Sequence, residues 1–163
     1  MACAEMTAKL SPPPGTRFPS IGDEELPFEP RGALAGKVEF PEMLAYHSPR
    51  ERQFTLLAVH EIWITAAACF EVRASDIFID YLARNGLFRP QTFVSGGSVL
   101  VGAIEGFAEQ LELAAIRLES VYDQGTLDWY ERQGFVPDGP SRTEPGWGTL
   151  FPMVKSVGRV GAL

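Results

Sequence analysis

Apolar residues change their spacing several times along the chain, and each change predicts an element. "RQFTLLAVHE" (52–61) and "IWITAAACFEVR" (62–73) are nearly continuous runs of β-branched, aromatic and small apolar residues. Such runs predict two adjacent strands. "SDIFIDYLARN" (75–85) alternates Ile77, Ile79 and Tyr81 against Phe78, Asp80 and Leu82, which predicts a third. After the loop-like "GLFRPQTFVSGG" the spacing turns helical from Ser98 to Leu113, with Leu100, Ala103/Ile104, Phe107/Ala108 and Leu111 in phase. Ser98, following Gly96-Gly97, is the predicted N-cap. "AAIRLESV" (114–121) predicts a strand, 126–133 a short helix, "GFVPD" a strand and "TLFPMVKSV" (149–157) a last strand. "RGALAGKVEFPEMLAYHSPRE" is poorly periodic and predicts one short helix before Ser48-Pro49.

This order describes an α/β fold with a mixed, mostly antiparallel sheet flanked by helices. Tight turns suffice for the first three strands, while the later strand–helix–strand unit is a crossover connection. Residues 1–32 differ from the rest. They carry "PPP" at 12–14 and the acidic cluster "GDEE", a composition that predicts an extended or mobile Pro-rich arm. Phe18, Ile21, Leu26 and Phe28 punctuate it, so it is expected to drape over the domain or over a second copy in a homodimer. Residues 33–163 are expected to form a single domain.

Charge and cysteine content narrow the function. The chain has 163 residues and a formal net charge of −7. It shows no basic stripe of the kind that attracts nucleic acid or anionic membrane. An anionic cofactor remains compatible, because backbone N–H groups at a helix start can hold it. Cys3 and Cys69 are the only cysteines and are read as reduced thiols of a cytoplasmic protein rather than a disulfide framework. The first residues lack the pattern of a secretory signal, and no apolar run reaches the length of a membrane span. His47, His60 and the carboxylates have no metal-ligand spacing, so no metal site is expected.

Three pieces between residues 52 and 157 carry a resemblance to the GNAT acetyltransferase superfamily. "IDYLARNGLFR" (79–89) resembles the family's fourth strand and the loop leaving it. "SGGSVLVGAIEGFAEQLELAAIRLESV" (95–121) resembles its glycine turn, long helix and fifth strand. "LDWYERQGFVPDG" (127–139) resembles the helix ending "F-Y-E-K/R-x-G-F", and is the most specific of the three. The resemblance implies a GNAT-like fold, acetyl-CoA as cofactor, and transfer of its acetyl group to a primary amine of an acceptor whose class it does not define.

The same resemblance implies roles for individual residues. The pyrophosphate of coenzyme A would lie on the N–H groups of a glycine turn and the following helix start. Here that turn is altered from the family's R/Q-x-x-G-x-G/A. Ser95 and Gly97 take the glycine positions, three extra residues separate Arg89 from them, and Gly96 and Ser98 complete the anion site. Arg89 or Gln91 would add a contact, and Asp123 stands where the family often has an Asn against the cofactor. Leu82 and Arg84 would offer backbone to the pantetheine arm, with Arg84 where a small apolar residue is usual. Tyr130 matches the tyrosine assigned as the acid that protonates the leaving thiolate. Asp80 and Glu119 are the candidate bases, with Glu61 third. A rival reading keeps the fold and drops the chemistry: a GNAT-fold binding or regulatory protein that uses its N-terminal arm for partners.

Overall fold

A computed structural model describes residues 10–88 and 95–158. Along the N-terminal segment, strand β1 (Thr16–Arg17) and strand β2 (Pro30–Arg31) precede helix α1 (Phe40–Ala45). Strands β3 (Gln53–His60), β4 (Trp63–Val72) and β5 (Asp76–Asn85) follow as an antiparallel meander. Helix α2 (Gly96–Gln110) leads to β6 (Ala115–Val121), helix α3 (Gln124–Arg132), β7 (Val136–Pro137), β8 (Arg142–Glu144) and β9 (Gly148–Ser156). They form one sheet in the order β1-β3-β4-β5-β6-β9-β7, with β2 on β5 and β8 on β9. Among the described strands only β5 and β6 pair in parallel, the α2 crossover having carried the chain back. The fold class read from the sequence is the observed one.

The long apolar runs are explained by burial on both faces of the sheet. On one face Phe54, Leu56, Ala66, Ala68, Phe70, Ile77 and Ile79 pack against Leu100, Ile104 and Phe107 of α2. On the other, Leu57, Ala67, Cys69 and Ala83 meet Leu34, Val38, Phe40 and Met43 from the N-terminal segment and α1. The arm is stitched to this frame. β1 extends the sheet beside β3, Arg17 pairs with the buried Asp23 at 2.7 Å, and Phe28 stacks on Phe40 at 4.3 Å.

Three expectations need correcting. Helix α2 starts two residues before Ser98, with Ser95 at the N-cap position. Gly96 and Gly97 therefore belong to its first turn, and close packing explains them: a Cβ on Gly96 would stand 2.7 Å from Thr65 Oγ1, and one on Gly97 3.0 Å from the Trp129 ring. The strand expected at "GFVPD" shrinks to Val136–Pro137, because Phe135 turns into the core and the ladder with β9 closes on a single Asp138 N–H bond to Pro152 O. The third correction is in β5. Cys69 pairs with Tyr81 and Phe70 with Ile79, which leaves Asp80 as the extra residue of a bulge. The bulge reverses the side-chain alternation, so Tyr81 faces the α1 side while Ile77 and Ile79 face α2.

His47 ties α1 to the meander. Its Nδ1 accepts the Thr55 N–H at 3.0 Å, and its ring lies 5.4 Å from Phe18 and 5.8 Å from Phe54. Burial lowers its pKa, disfavouring the charged ring. The unfolded chain therefore takes up the proton first. This contribution to stability is whole above the ordinary histidine pKa of about 6.5 and is lost as pH falls below it. Thermal melting should show Tm dropping by roughly 2–4 °C between about pH 7.5 and about pH 5.5. His47→Asn, which keeps an acceptor and cannot charge, should show a clearly smaller drop.

Candidate active site

The bulge at Asp80 opens the sheet. Pairing between β5 and β6 stops at Ile79–Leu118, although both strands run on, to Asn85 and Val121. The slot between them is a cleft of about 470 Å³. Its walls are the second half of β5 and of β6. Trp129 and Tyr130 of α3 close one side, and Arg142, Glu144 and Trp147 of the β8–β9 hairpin close another. Helix α3 is fixed there by its ends. Asp123 Oδ2 accepts the Thr126 N–H at 2.9 Å and its hydroxyl at 2.6 Å, and Gly134 (φ +98°) turns the chain back toward the sheet.

Of the residues singled out by sequence, Asp80, Leu82, Arg84, Ser95, Gly97, Glu119, Asp123 and Tyr130 all line this cleft. Gly96 instead faces β4, and the Ser98 hydroxyl accepts Gln133 Nε2 at 3.1 Å. Arg89 and Gln91 lie outside the described residues. Glu61 sits in the β3–β4 turn beside His60 at 3.8 Å and does not line the cleft.

Tyr130 is 9% exposed. Its ring is wedged edge-on between Trp129 (5.1 Å) and Phe135 (5.6 Å), and burial raises its pKa so that the hydroxyl keeps its proton. That hydroxyl hydrogen-bonds to no described residue. The two carboxylates are placed in opposite electrostatic settings. Arg142 grips Glu119 through two bonds, 2.6 and 2.8 Å, and holds its carboxyl below the usual range. Asp80 has no cationic partner at hydrogen-bond distance among the described residues. Asp80 is itself solvent-exposed at the cleft, where partial desolvation by its surroundings raises its pKa, against a hydrogen bond from the Tyr46 hydroxyl that lowers it. Glu119, expected as a base, is thus a poor one, since its lone pairs are spent on Arg142.

The backbone of Arg84 also departs from expectation. β2 pairs with β5 in the register Pro30–Asn85 and Arg31–Arg84, and the Gly86 N–H donates to Glu29 O at 2.8 Å. Arg84 is also opposite Ala66 of β4. A strand has two edges, so β2 lies on the edge that faces the cleft. Antiparallel rungs recur every second residue, which places one at Gly86 and the next at Arg84. Among the described residues no strand pairs with Leu82 on that edge, because the chain leaves in the turn Gly32–Leu34. Sequence reading missed this strand, as it missed Arg142 and Trp147. Two-residue pairing leaves no periodic signal, and the hairpin's only cue was the turn "EPGWG" between short strands.

No protein-family model and no curated protein matches the chain by sequence. Solved structures do match it. The ribosomal-protein-S18-alanine N-acetyltransferase from Escherichia coli superposes with TM-score 0.67 at 15% identity, over 90% of this chain and 96% of that one. A GNAT family acetyltransferase from Elizabethkingia anophelis with acetyl-CoA bound gives 0.61 at 12%, over 86% and 96%. Nourseothricin acetyltransferase gives 0.63 at 15%, over 88% and 98%. The chain has the GNAT fold, in which the family's fourth and fifth strands are β5 and β6 here. Coenzyme A can be tested against this frame. The first turn of α2 presents N–H groups at Gly96, Gly97 and Ser98 with no acidic side chain among them, which suits phosphate. The free edge at Leu82 suits the pantetheine amides. The residues present fit the cofactor at both ends, and β2 stands between them at Arg84.

The two glycines of α2 carry a testable consequence. Gly96→Ala forces a methyl against Thr65 Oγ1 and the Ala66 methyl, and should destabilise the fold by about 1–3 kcal/mol in denaturant melts. Gly102→Ala, where a Cβ would meet nothing within 4 Å, should instead leave stability equal or slightly higher.

Proposed function

We propose that the protein is an acetyl-CoA-dependent N-acetyltransferase acting on a primary amine. The observation that carries this reading is the cleft at the Asp80 bulge, with a buried, protonated Tyr130 hydroxyl on one wall and an unpaired, weakly acidic Asp80 on another. Coenzyme A would be held by the α2 N-terminal turn and the Leu82 edge, and supplies an acyl group activated as a thioester. The chain's own residues supply the proton traffic. Asp80 takes a proton from the incoming ammonium, freeing the nitrogen lone pair to form the N–C bond. Tyr130 holds the proton that the thiolate needs when the C–S bond breaks. Arg142, bonded to both Glu119 and Glu144, offsets part of the negative charge beside Asp80.

The acceptor end favours a cation. Tyr81 and Trp147 line it with rings stacked at 6.5 Å, and the Lys37 ammonium already stands 5.8 Å from the Trp147 ring centre. Asp80, Glu119 and Glu144 outnumber Arg142 and Lys37 there. The neighbours do not supply an acceptor, since one is named for a ribosomal-protein alanine and another for nourseothricin. The rival reading, a binding protein without chemistry, is favoured by β2 on the Arg84 edge.

Acetyl-CoA at about millimolar concentration should raise Tm by several degrees; no shift and no calorimetric signal would leave the binding-protein reading. Tyr130→Phe should lower kcat about 10–100-fold with coenzyme A affinity unchanged within roughly twofold. Equal loss of both would assign Tyr130 to packing.

The pH profile tests Asp80. As its pKa is raised, kcat/KM should climb with pH along a limb above the ordinary aspartate value of about 4. Asp80→Asn should lower activity and erase that limb. Tyr46→Phe removes a bond that favours the charged carboxylate, and should move the limb to higher pH.

A further inference from the structure

We propose that residues 30–33 are a displaceable strap, and that β2 leaves the Arg84 edge when the pantetheine arm of coenzyme A pairs there. This rests on the acetyltransferase reading above. A backbone N–H and C=O can complete one ladder rung at a time, and the cleft-facing rung at Arg84 is taken by Arg31. An amide-bearing ligand arm running along β5 from the α2 turn toward the bulge must cross that rung before it reaches Leu82.

The arm is built to release there and to stay attached just before it. Asn85 is a clasp, 2% exposed. Its Nδ2 donates to Pro27 O and Ile64 O at 2.8 Å each, and its Oδ1 accepts the N–H of Glu29 at 3.1 Å and of Leu87 at 3.0 Å. Phe28, stacked on Phe40, adds an apolar anchor. Between Pro30 and Leu34, which is buried in the α1-side core, the holding contacts thin out. Arg31 and Gly32 are exposed, and the Arg31 guanidinium pairs only with the equally exposed Glu29 at 2.9 Å, an ion pair worth little in water. Gly32 sits at φ +83° with open space where a Cβ would be, giving the chain a swivel immediately after the rung. The strap is therefore fixed at Asn85 on one side and at buried Leu34 on the other, held at Arg84 by one rung between them, and given its swivel at Gly32.

Two consequences separate a strap from a merely structural strand. Binding of coenzyme A should expose the arm's amides while leaving Arg84 paired, since Arg84 only changes partner. Weakening the strap should tighten coenzyme A, because the competent state is then more populated. The adenosine 3′,5′-diphosphate fragment, which lacks pantetheine, should be indifferent to both.

The experiment is hydrogen–deuterium exchange on the full chain with and without coenzyme A, together with calorimetry on wild type and Arg31→Pro. The substitution removes the N–H that Arg31 gives to the rung. Expected results are faster exchange across residues 31–33 only with coenzyme A, and roughly 3–10-fold tighter coenzyme A binding by Arg31→Pro, with the fragment's affinity within about twofold. If coenzyme A binds while residues 31–33 keep their protection, the strap is wrong and the acetyltransferase reading stands. If neither protein binds coenzyme A, both fall. The exchange measurement needs no variant, so a poorly folding Arg31→Pro does not rescue the proposal.

Discussion

Everything distinctive about this molecule follows from one extra residue in β5. Asp80 has no partner across β4, and accommodating it bends the strand, turns Tyr81 to the opposite face and ends the pairing with β6 at Ile79–Leu118. A continuous ladder through Asn85 and Val121 would leave no slot. The same residue that breaks the ladder places its carboxylate in the opening it creates. Architecture and candidate chemistry thus meet at a single position.

The opening needs walls that do not collapse into it. Helix α2 comes close enough to supply one only because Gly96 lies against Thr65 and Ala66, and Gly97 against Trp129. Trp129 in turn braces Tyr130, whose other side is stopped by Phe135. The line from Gly97 through Trp129 and Tyr130 to Phe135 is continuous side-chain packing, so the position of the Tyr130 hydroxyl is set by a glycine over thirty residues away. The far wall is secured by the Glu119–Arg142–Glu144 cluster between β6 and the β8–β9 hairpin.

Long, strongly patterned elements were legible in the sequence because burial on both faces or one helical stripe leaves a repeated mark. β3, β4, β6, β9 and the body of α2 fall where the apolar runs lie. The expected alternation in β5 failed at Asp80, since a bulge adds one residue without any change of residue type. The start of α2 was misjudged for a related reason. Gly96 and Gly97 have the chemistry of a loop, and only tertiary contact with Thr65 and Trp129 shows why a helix would begin on them. β1 and β2 are held by partners distant in sequence and β8 by its hairpin neighbour β9, and two or three residues cannot show a period. Tyr130, Asp80 and Glu119 border one cleft, while Arg142 and Trp147, which line it with them, lay in a segment with no pattern to flag it.

That last point bears on which carboxylate works. Asp80 and Glu119 border the same cleft, and by residue type alone they are equivalent. Their neighbours push them apart: a guanidinium with two short bonds stabilises charge on Glu119, whereas Asp80 has one neutral hydroxyl and a partly desolvated setting that opposes charge. A carboxylate held below its usual pKa is a weaker base whatever its position, and one whose pKa is raised takes a proton more readily. Tyr46 refines the arrangement. It reaches Asp80 from the end of α1, and because its own pKa is raised it stays a donor. It orients the carboxylate and moderates the shift without supplying a charge that would cancel its basicity. The division of labour between the two acids is therefore written in Arg142 and Tyr46, not in the acids themselves.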